Sequence, residues 1–251
     1  MNTKTKPNPI KIIKSIENVA LELIFPSQCV CCEKRGLVIC DDCLKSIKTL
    51  NVQKCPCCEK SITDSGKLCS ACKQTDYPLK KLLIAGDYKD PLLPKLVHLY
   101  KYRFIEDIHL GLGEILLKSL AKHEMKTPDI IIPIPLHPFR LRWRGFNQSE
   151  LLAKHIGENL LPGIDIETND NIIKRIKYAP PQMKIKKYSE RQENISGAFQ
   201  INQEHKNKIQ GKKILLVDDI CTTGSTLIEC AKVLQKLNPR SISAIVIARQ
   251  S

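Results

Sequence analysis

Apolar positions along the chain fall into blocks of two kinds. At residues 10–25 they recur at Ile12/Ile13, Ile16, Val19/Ala20 and Leu23/Ile24, one face of a helix that Pro26 stops. Residues 82–88 read as a first strand. Residues 91–100 and 105–123 read as helices, joined by the basic Lys101-Tyr102-Arg103. The apolar run at 129–136 predicts a second strand, ended by Pro133 and Pro135. Residues 214–217 form the short apolar run of a strand buried on both faces, and Leu227, Ala231 and Leu234 follow at helical spacing. Residues 242–248 give a last strand. Strands alternating with helices predict an α/β domain on a parallel sheet, whose ligands gather at the carboxyl ends of the strands.

The carboxyl end of the 214–217 strand carries the candidate chemistry. Asp218 and Asp219 are followed by Ile220, Cys221, Thr222, Thr223, Gly224, Ser225 and Thr226. A strand, a small hydroxyl-rich loop and a helix start make an anion site, because free amides and the helix dipole point at the ligand. Gly224 lets the backbone turn closely. The paired acids would repel a phosphate beside them, but suit a ligand whose phosphate lies a few ångströms from a diol or bound cation, such as a ribose 5-phosphate. A plain strand-to-helix turn with Asp caps is the competing reading. After the second strand, Arg140, Arg142 and Arg144 precede Gly145-Phe146-Asn147-Gln148 at a helix start, and the sheet places this arginine-rich loop near the acids, suited to a pyrophosphate. A solvated basic loop is its plainer reading. Residues 174–191 hold seven basic residues against Glu190, with Pro180 and Pro181, and read as a mobile basic loop that closes over a phosphate site or contacts nucleic acid. Cys221 is assigned no chemistry. Cys230 is expected in the core.

Between the first helix and the first strand the apolar pattern gives way to cysteine. Ten of the twelve Cys lie between Cys29 and Cys72, and eight form C-x-x-C pairs at 29/32, 40/43, 55/58 and 69/72. Two such turns complete a tetrahedral Zn²⁺ site, so four imply two zincs. Sequential pairing gives Cys29, Cys32, Cys40 and Cys43 for one, and Cys55, Cys58, Cys69 and Cys72 for the other; interleaved pairing is equally compatible with the spacing. Cys31 and Cys57 are left over. Disulfides would need an oxidising compartment that nothing else in the sequence indicates. With four thiolates and no open position, each zinc would be structural, and a segment this poor in large apolar side chains needs it to fold.

The 214–226 stretch resembles the 5-phosphoribosyl-1-pyrophosphate (PRPP) loop of type I phosphoribosyltransferases. By position, Asp218 and Asp219 would face the ribose hydroxyls, and Cys221 to Thr226 would hold the 5-phosphate. Adding the four C-x-x-C pairs, the Pro133-Ile134-Pro135-Leu136 and Arg144-Gly145-Phe146-Asn147-Gln148 motifs, and the series Arg175, Gln182, Arg191, Asn194 and Gly197-Ala198-Phe199, nearly the whole chain beyond residue 20 resembles the ComF family. The resemblance implies an N-terminal tail and helix (1–26), a double zinc ribbon (27–75) and a type I phosphoribosyltransferase-like α/β domain (76–251). It implies a pyrophosphate loop at 133–138, a flexible loop at 174–199, and Arg140, Arg144, Asn147, Gln148, Arg175, Gln182 and Arg191 as candidates for those loops. It implies Mg²⁺ with PRPP, and a part in DNA uptake during natural transformation, with single-stranded DNA and competence helicase or DNA-processing proteins as partners. Glutamine-dependent amidotransfer would need a glutaminase domain, and this chain begins with the cysteine module.

Composition narrows these readings. The chain is 42% hydrophobic and 26% charged, as soluble globular proteins are. No apolar run approaches the roughly 20 residues that span a bilayer, and no signal core opens the chain, which predicts a cytoplasmic protein. The formal net charge is +14; eight thiolates holding two Zn²⁺ lower it by four, to +10, so polyanions are favoured. Only 5% of residues are aromatic, which gives few platforms for stacking bases. Trp143 is the obvious one, though a packed Trp is expected. Three functions compete: a PRPP-binding protein that handles incoming single strands, a phosphoribosyltransferase with an unknown acceptor, and a zinc-ribbon adaptor with a vestigial site.

Overall fold

The computed structural model describes residues 28–103, 105–178 and 195–250. The expected helix at 10–25, and Gln182, Arg191 and Asn194, lie outside these residues. Two compact units divide the chain, Met1–Ser46 and Ile47–Ser251. In the first, a cysteine turn at 29–34 is followed by helix α1, Asp41–Ser46, whose Asp42 carboxylate pairs with Lys34 at 3.2 Å.

The second unit opens with another cysteine module, in which β1 (Gln53–Lys54) pairs antiparallel with β2 (Ile62–Thr63). The sheet follows. Its elements in order are β3 (Lys81–Gly86), α2 (Leu93–Tyr102), α3 (Ile108–Lys122), β4 (Ile130–Pro133), α4 (Pro138–Arg144), α5 (Gln148–Asn159), β5 (Ile173–Arg175), β6 (Phe199–Ile201), β7 (Lys213–Cys221), α6 (Ser225–Gln235) and β8 (Ser241–Arg249). The strand order is β3-β8-β7-β4, with every pairing parallel. A strand exposes alternate residues on opposite faces. Accordingly Ile130, Ile132, Ile214, Leu216, Ala244 and Val246 pack with Leu227, Cys230 and Leu234 of α6 and with Phe199 of β6. The intervening buried Ile131, Leu215, Val217 and Ile245 point to the other face, where α3 and α5 lie. Cys230 is thus a core residue, as its spacing predicted.

The second cysteine module closes one edge of this sheet. Edge strands expose unpaired amides and invite aggregation. Here the buried Gln53 amide clamps β3, its Nε2 donating to Ile84 O and its Oε1 accepting from Ile84 N, both at 3.0 Å. Gly66, at φ +69, lies so close that a Cβ there would come within 2.1 Å of Leu82 O. Tyr77 completes the junction, its hydroxyl donating to Pro56 O at 2.7 Å.

Four expectations need correction. The strand read at 214–217 continues to Cys221, because its ladder to β8 runs from Lys213↔Ser241 to Cys221↔Arg249 and carries the acids within it. The arginine-rich loop is the helix α4, started by Pro138 and by the His137 ring, which accepts from Phe139 N, and ended by Gly145 at φ 82. Residues Lys174 and Arg175, read as the start of a mobile loop, belong to β5, held antiparallel to β6. Trp143 is exposed rather than buried: α4 buries none of its residues and leaves the indole 58% exposed.

Candidate functional site

The parallel register brings the carboxyl ends of β4 and β7 side by side, through Pro133↔Val217. The chain leaving β4 forms α4 and α5, and the chain leaving β7 forms the Thr222–Gly224 turn and α6. Between them is a cleft of about 140 Å³ where Asp218, Asp219, Thr222 and Thr226 meet Arg140, Arg144, Gln148 and Arg175. Residues far apart in sequence thus share one wall.

Each acid has its own partners. Asp218 is partly buried and accepts from Ser149 Oγ at 2.8 Å and from the Asp219 amide at 2.9 Å. Asp219 accepts from the Ile220 amide at 2.5 Å and pairs with Lys101 Nζ at 2.9 Å. Desolvation, then the charge of Asp219, pushes the Asp218 carboxyl up to about 7, although Lys101 and Ser149 pull the other way. The two carboxylates therefore form a site tense with negative charge that one lysine partly relieves.

Opposite them the charge is positive. Burial, and then Arg144, pulls Arg140 below the usual guanidinium range; burial, and then Arg140, does the same to Arg175. Arg144 donates from NH1 to Gln148 Oε1 at 2.9 Å. Yet Arg144 Nε and Gln148 Nε2 are buried donors without a partner among the described residues. Buried donors are almost always satisfied, so this wall combines crowded guanidiniums with two N–H groups left without a partner. Arg175 also stacks over Phe199, and Arg140 over Tyr178. Asn147 turns inward: it donates to Ile134 O, accepts from Ser149 N, and so caps α5.

The cradle itself is built from small groups. Gly224 holds φ 72 at the N-cap of α6 and is buried. Thr223 Oγ1 and Ser225 Oγ lie 2.6 Å apart, and Thr223 Oγ1 accepts from Ser225 N. Cys221 is buried beneath, its sulfur accepting from Arg249 Nε at 3.4 Å. Lys101, Ser149 and Arg249 were not singled out from sequence. Only Lys101 left a signal there, as part of the basic Lys101-Tyr102-Arg103 joint.

The cysteines gather in sequential pairs. Cys29, Cys32, Cys40 and Cys43 bring their sulfurs within 4.8 Å of one another, as do Cys55, Cys58, Cys69 and Cys72; Cys31 and Cys57 belong to neither group. Zn–S bonds of about 2.3 Å in a tetrahedron put sulfurs about 3.8 Å apart; Cys32–Cys40 is 3.5 Å and Cys58–Cys69 is 3.9 Å. Both groups could hold zinc. They also share a repeat missed in the sequence reading, Cys-x-Cys-Cys-Glu-Lys at 29–34 and 55–60. Each turn bonds its Glu amide to the first Cys carbonyl, with Glu33 and Glu59 at positive φ. In each, the first Cys sulfur accepts at 3.4 Å from the amide opening the next pair, Cys40 or Cys69.

A family model described as a phosphoribosyl transferase domain matches residues 155–251. Competence protein F of Haemophilus influenzae is 33% identical over 235 residues, covering 90% of this chain and 98% of its own length. DNA utilization protein YhgH of Escherichia coli K12 is 30% identical over 215 residues, covering 84% of this chain and 90% of its own. Among solved structures, the glutamine PRPP amidotransferase from B. subtilis is 16% identical with a TM-score of 0.36; the match covers 56% of this chain and 27% of that one.

Proposed function

We propose that this chain, which belongs to the competence protein F (ComF) family, binds PRPP with Mg²⁺ in the Asp218–Arg140 cleft and handles incoming single-stranded DNA in the cytoplasm. The observation that carries the ligand is charge separation within one small cleft. Two carboxylates face the centre, orphan Arg144 and Gln148 donors lie on one side, and the cradle at the α6 N-terminus lies on the other. PRPP has the complementary order of groups. Its 5-phosphate would sit on Thr222, Thr223, Gly224, Ser225 and Thr226, its ribose diol at Asp218 and Asp219, and its pyrophosphate toward Arg140, Arg144 and Arg175. Asp219 is engaged by Lys101 and Asp218 by Ser149, so the acids alone make a poor cage. They suit a Mg²⁺ that arrives with phosphate oxygens and keeps its waters, as that ion prefers. The ion would neutralise the pyrophosphate.

In this reading both four-cysteine groups hold structural zinc. DNA handling rests on the competence and DNA-utilization names of the relatives and on the chain's positive charge. Competence helicase or DNA-processing proteins are the expected partners, and among the described residues no helix is long and apolar enough to cross a membrane.

Calorimetric titration of PRPP with Mg²⁺ into wild type and Asp218→Ala/Asp219→Ala tests the cleft. Affinity should fall at least tenfold in the variant. Equal affinity would sink the PRPP reading.

A further inference from the structure

A second, larger cavity lies at the opposite end of the sheet. It has a volume of about 600 Å³, within the roughly 300–1,000 Å³ of small-molecule sites. Its walls come from the second cysteine module, from the segment after α3, and from the first residues of β3, β7 and β8. Lys213 and Cys221 mark the two ends of a nine-residue strand, about 26 Å apart at ~3.3 Å per residue. This cavity is therefore separate from the cleft.

Its chemistry is amphiphilic. Leu68, Met125, Pro128 and Ile214 provide an apolar floor, and Lys67, Lys73, Lys80, Lys126 and Arg240 stand exposed around it. No carboxylate pairs with any of these five cations among the described residues, and Glu124 is the one acid in the lining. Deeper in, Lys81 is buried and donates to His123 O at 2.9 Å. Burial, then the Lys67 ammonium, lowers Lys81 to about 8. Cations crowded around a concave surface that holds a single carboxylate concentrate anions there. An inorganic anion would use the rim and leave the apolar floor bare; a base or sugar would cover it.

We infer that this basic cavity is a second ligand site, one that takes a phosphate-bearing nucleotide unit, free or within a single strand. The single-strand case deepens the DNA-handling reading by giving it a place on the protein. The free-nucleotide case stands without it.

Two probes distinguish the sources: ATP in Mg²⁺-free buffer by calorimetry, and fluorescein-labelled dT20 by anisotropy from 50 to 300 mM NaCl. The zinc-loaded full chain is compared with Lys73→Glu/Lys126→Glu/Arg240→Glu. A control, Lys95→Glu/Lys118→Glu/Lys236→Glu, makes the same change in net charge elsewhere. Unchanged melting temperature and PRPP affinity establish that the variants fold. The cavity variant should bind at least one probe tenfold or more weakly than wild type, with the control near wild type. For dT20 the slope of log K against log salt should also shrink by about 2, three contacts at ~0.7 each. Wild type that binds ATP through the cavity but never dT20 supports the site and removes direct strand binding. Wild type that binds dT20 equally well after the cavity substitutions overturns the site and leaves the DNA reading standing. A control triple as weak as the cavity triple overturns it too, because the effect would be one of net charge. So does wild type that binds neither probe.

Discussion

Replacing Lys101 by Met tests whether the acid pair is held in charge tension. Lys101 Nζ lies 2.9 Å from Asp219 Oδ1, with the two side chains 19% and 9% exposed. At an effective dielectric of ~20 the gross attraction at that distance is about 6 kcal/mol. Desolvation of both ions offsets much of it, and breaking a buried pair by removing one partner costs about 3–5 kcal/mol in practice. Met keeps the apolar stem, so packing is preserved and about 3 kcal/mol is expected at pH 8. For a unit of this size that is a fall of roughly 6–12 °C in melting temperature. The pH dependence gives the sharper check. Asp218 is raised from 3.8 to about 7, so between those values the folded state binds more protons than the unfolded state. Stability from this group falls as pH rises through that window. Lys101 is one of the influences holding the value down, so Lys101→Met extends the window above pH 7. At pH 5.5 Asp218 is protonated in both proteins, and the difference between them should shrink by about 1 kcal/mol, because the two carboxyls differ in protonation only between about pH 7 and pH 8, at no more than 1.36 kcal/mol per pH unit for one proton. Urea denaturation of both proteins at pH 5.5 and 8 measures this. A difference below 1 kcal/mol at both pH values, or one that does not change with pH, would refute the tension.

The same carboxyl links ligand affinity to pH. If Mg²⁺–PRPP requires ionised Asp218, its affinity should rise about tenfold between pH 6 and 8 with release of a proton, seen in calorimetry as a buffer-dependent enthalpy; flat affinity with no buffer dependence contradicts this. Cys55→Ser should reduce bound zinc by one equivalent per chain in elemental analysis and lower the melting temperature of the sheet unit, since Gly66, Gln53 and Tyr77 tie that module to it; full zinc content would show that Cys55 is not a ligand. Gln53→Ala should cost about 2–3 kcal/mol in urea denaturation, because two backbone groups of Ile84 lose their partners. It should also promote aggregation through the opened β3 edge.

Much of this was legible in the chain, for local reasons. The strands and helices of the sheet announce themselves through apolar runs of the right length, and the strand-turn-helix unit at β7 and α6 through thirteen consecutive residues. The boundary of β7 was hidden, because a strand is read by its apolar run and the ladder to β8 carries Asp218 and Asp219 four residues beyond it. Lys101 and Ser149 were hidden for another reason: they meet the acids only because α2 and α5 converge on the end of β7. Tyr100, buried beside Lys101, helps fix that convergence by donating to Gln148 O at 2.9 Å. No local pattern encodes a contact such as Ser149 to Asp218, across 69 residues. Trp143 misled in the opposite direction, since a bulky aromatic is usually packed, yet α4 is a short helix with no buried face.

The repeated cysteine turn shows how one motif can acquire a second task. Glu33 and Glu59 occupy equivalent positions, each in the left-handed region after its Cys-Cys pair. Glu59 alone reaches an arginine in the described residues, with Arg249 NH1 2.9 Å from its carboxylate. Arg249 then donates to the sulfur of Cys221, and its NH2 lies 3.8 Å from where a Cβ on Gly224 would stand. A chain of direct contacts thus runs from the residue beside Cys58 to the floor of the cradle. Metal bound at Cys55, Cys58, Cys69 and Cys72 would fix the turn that aims Glu59, and through Arg249 would hold the cradle backbone in place. The second cysteine group is in this way tied to the end of β7 as well as to the sheet edge.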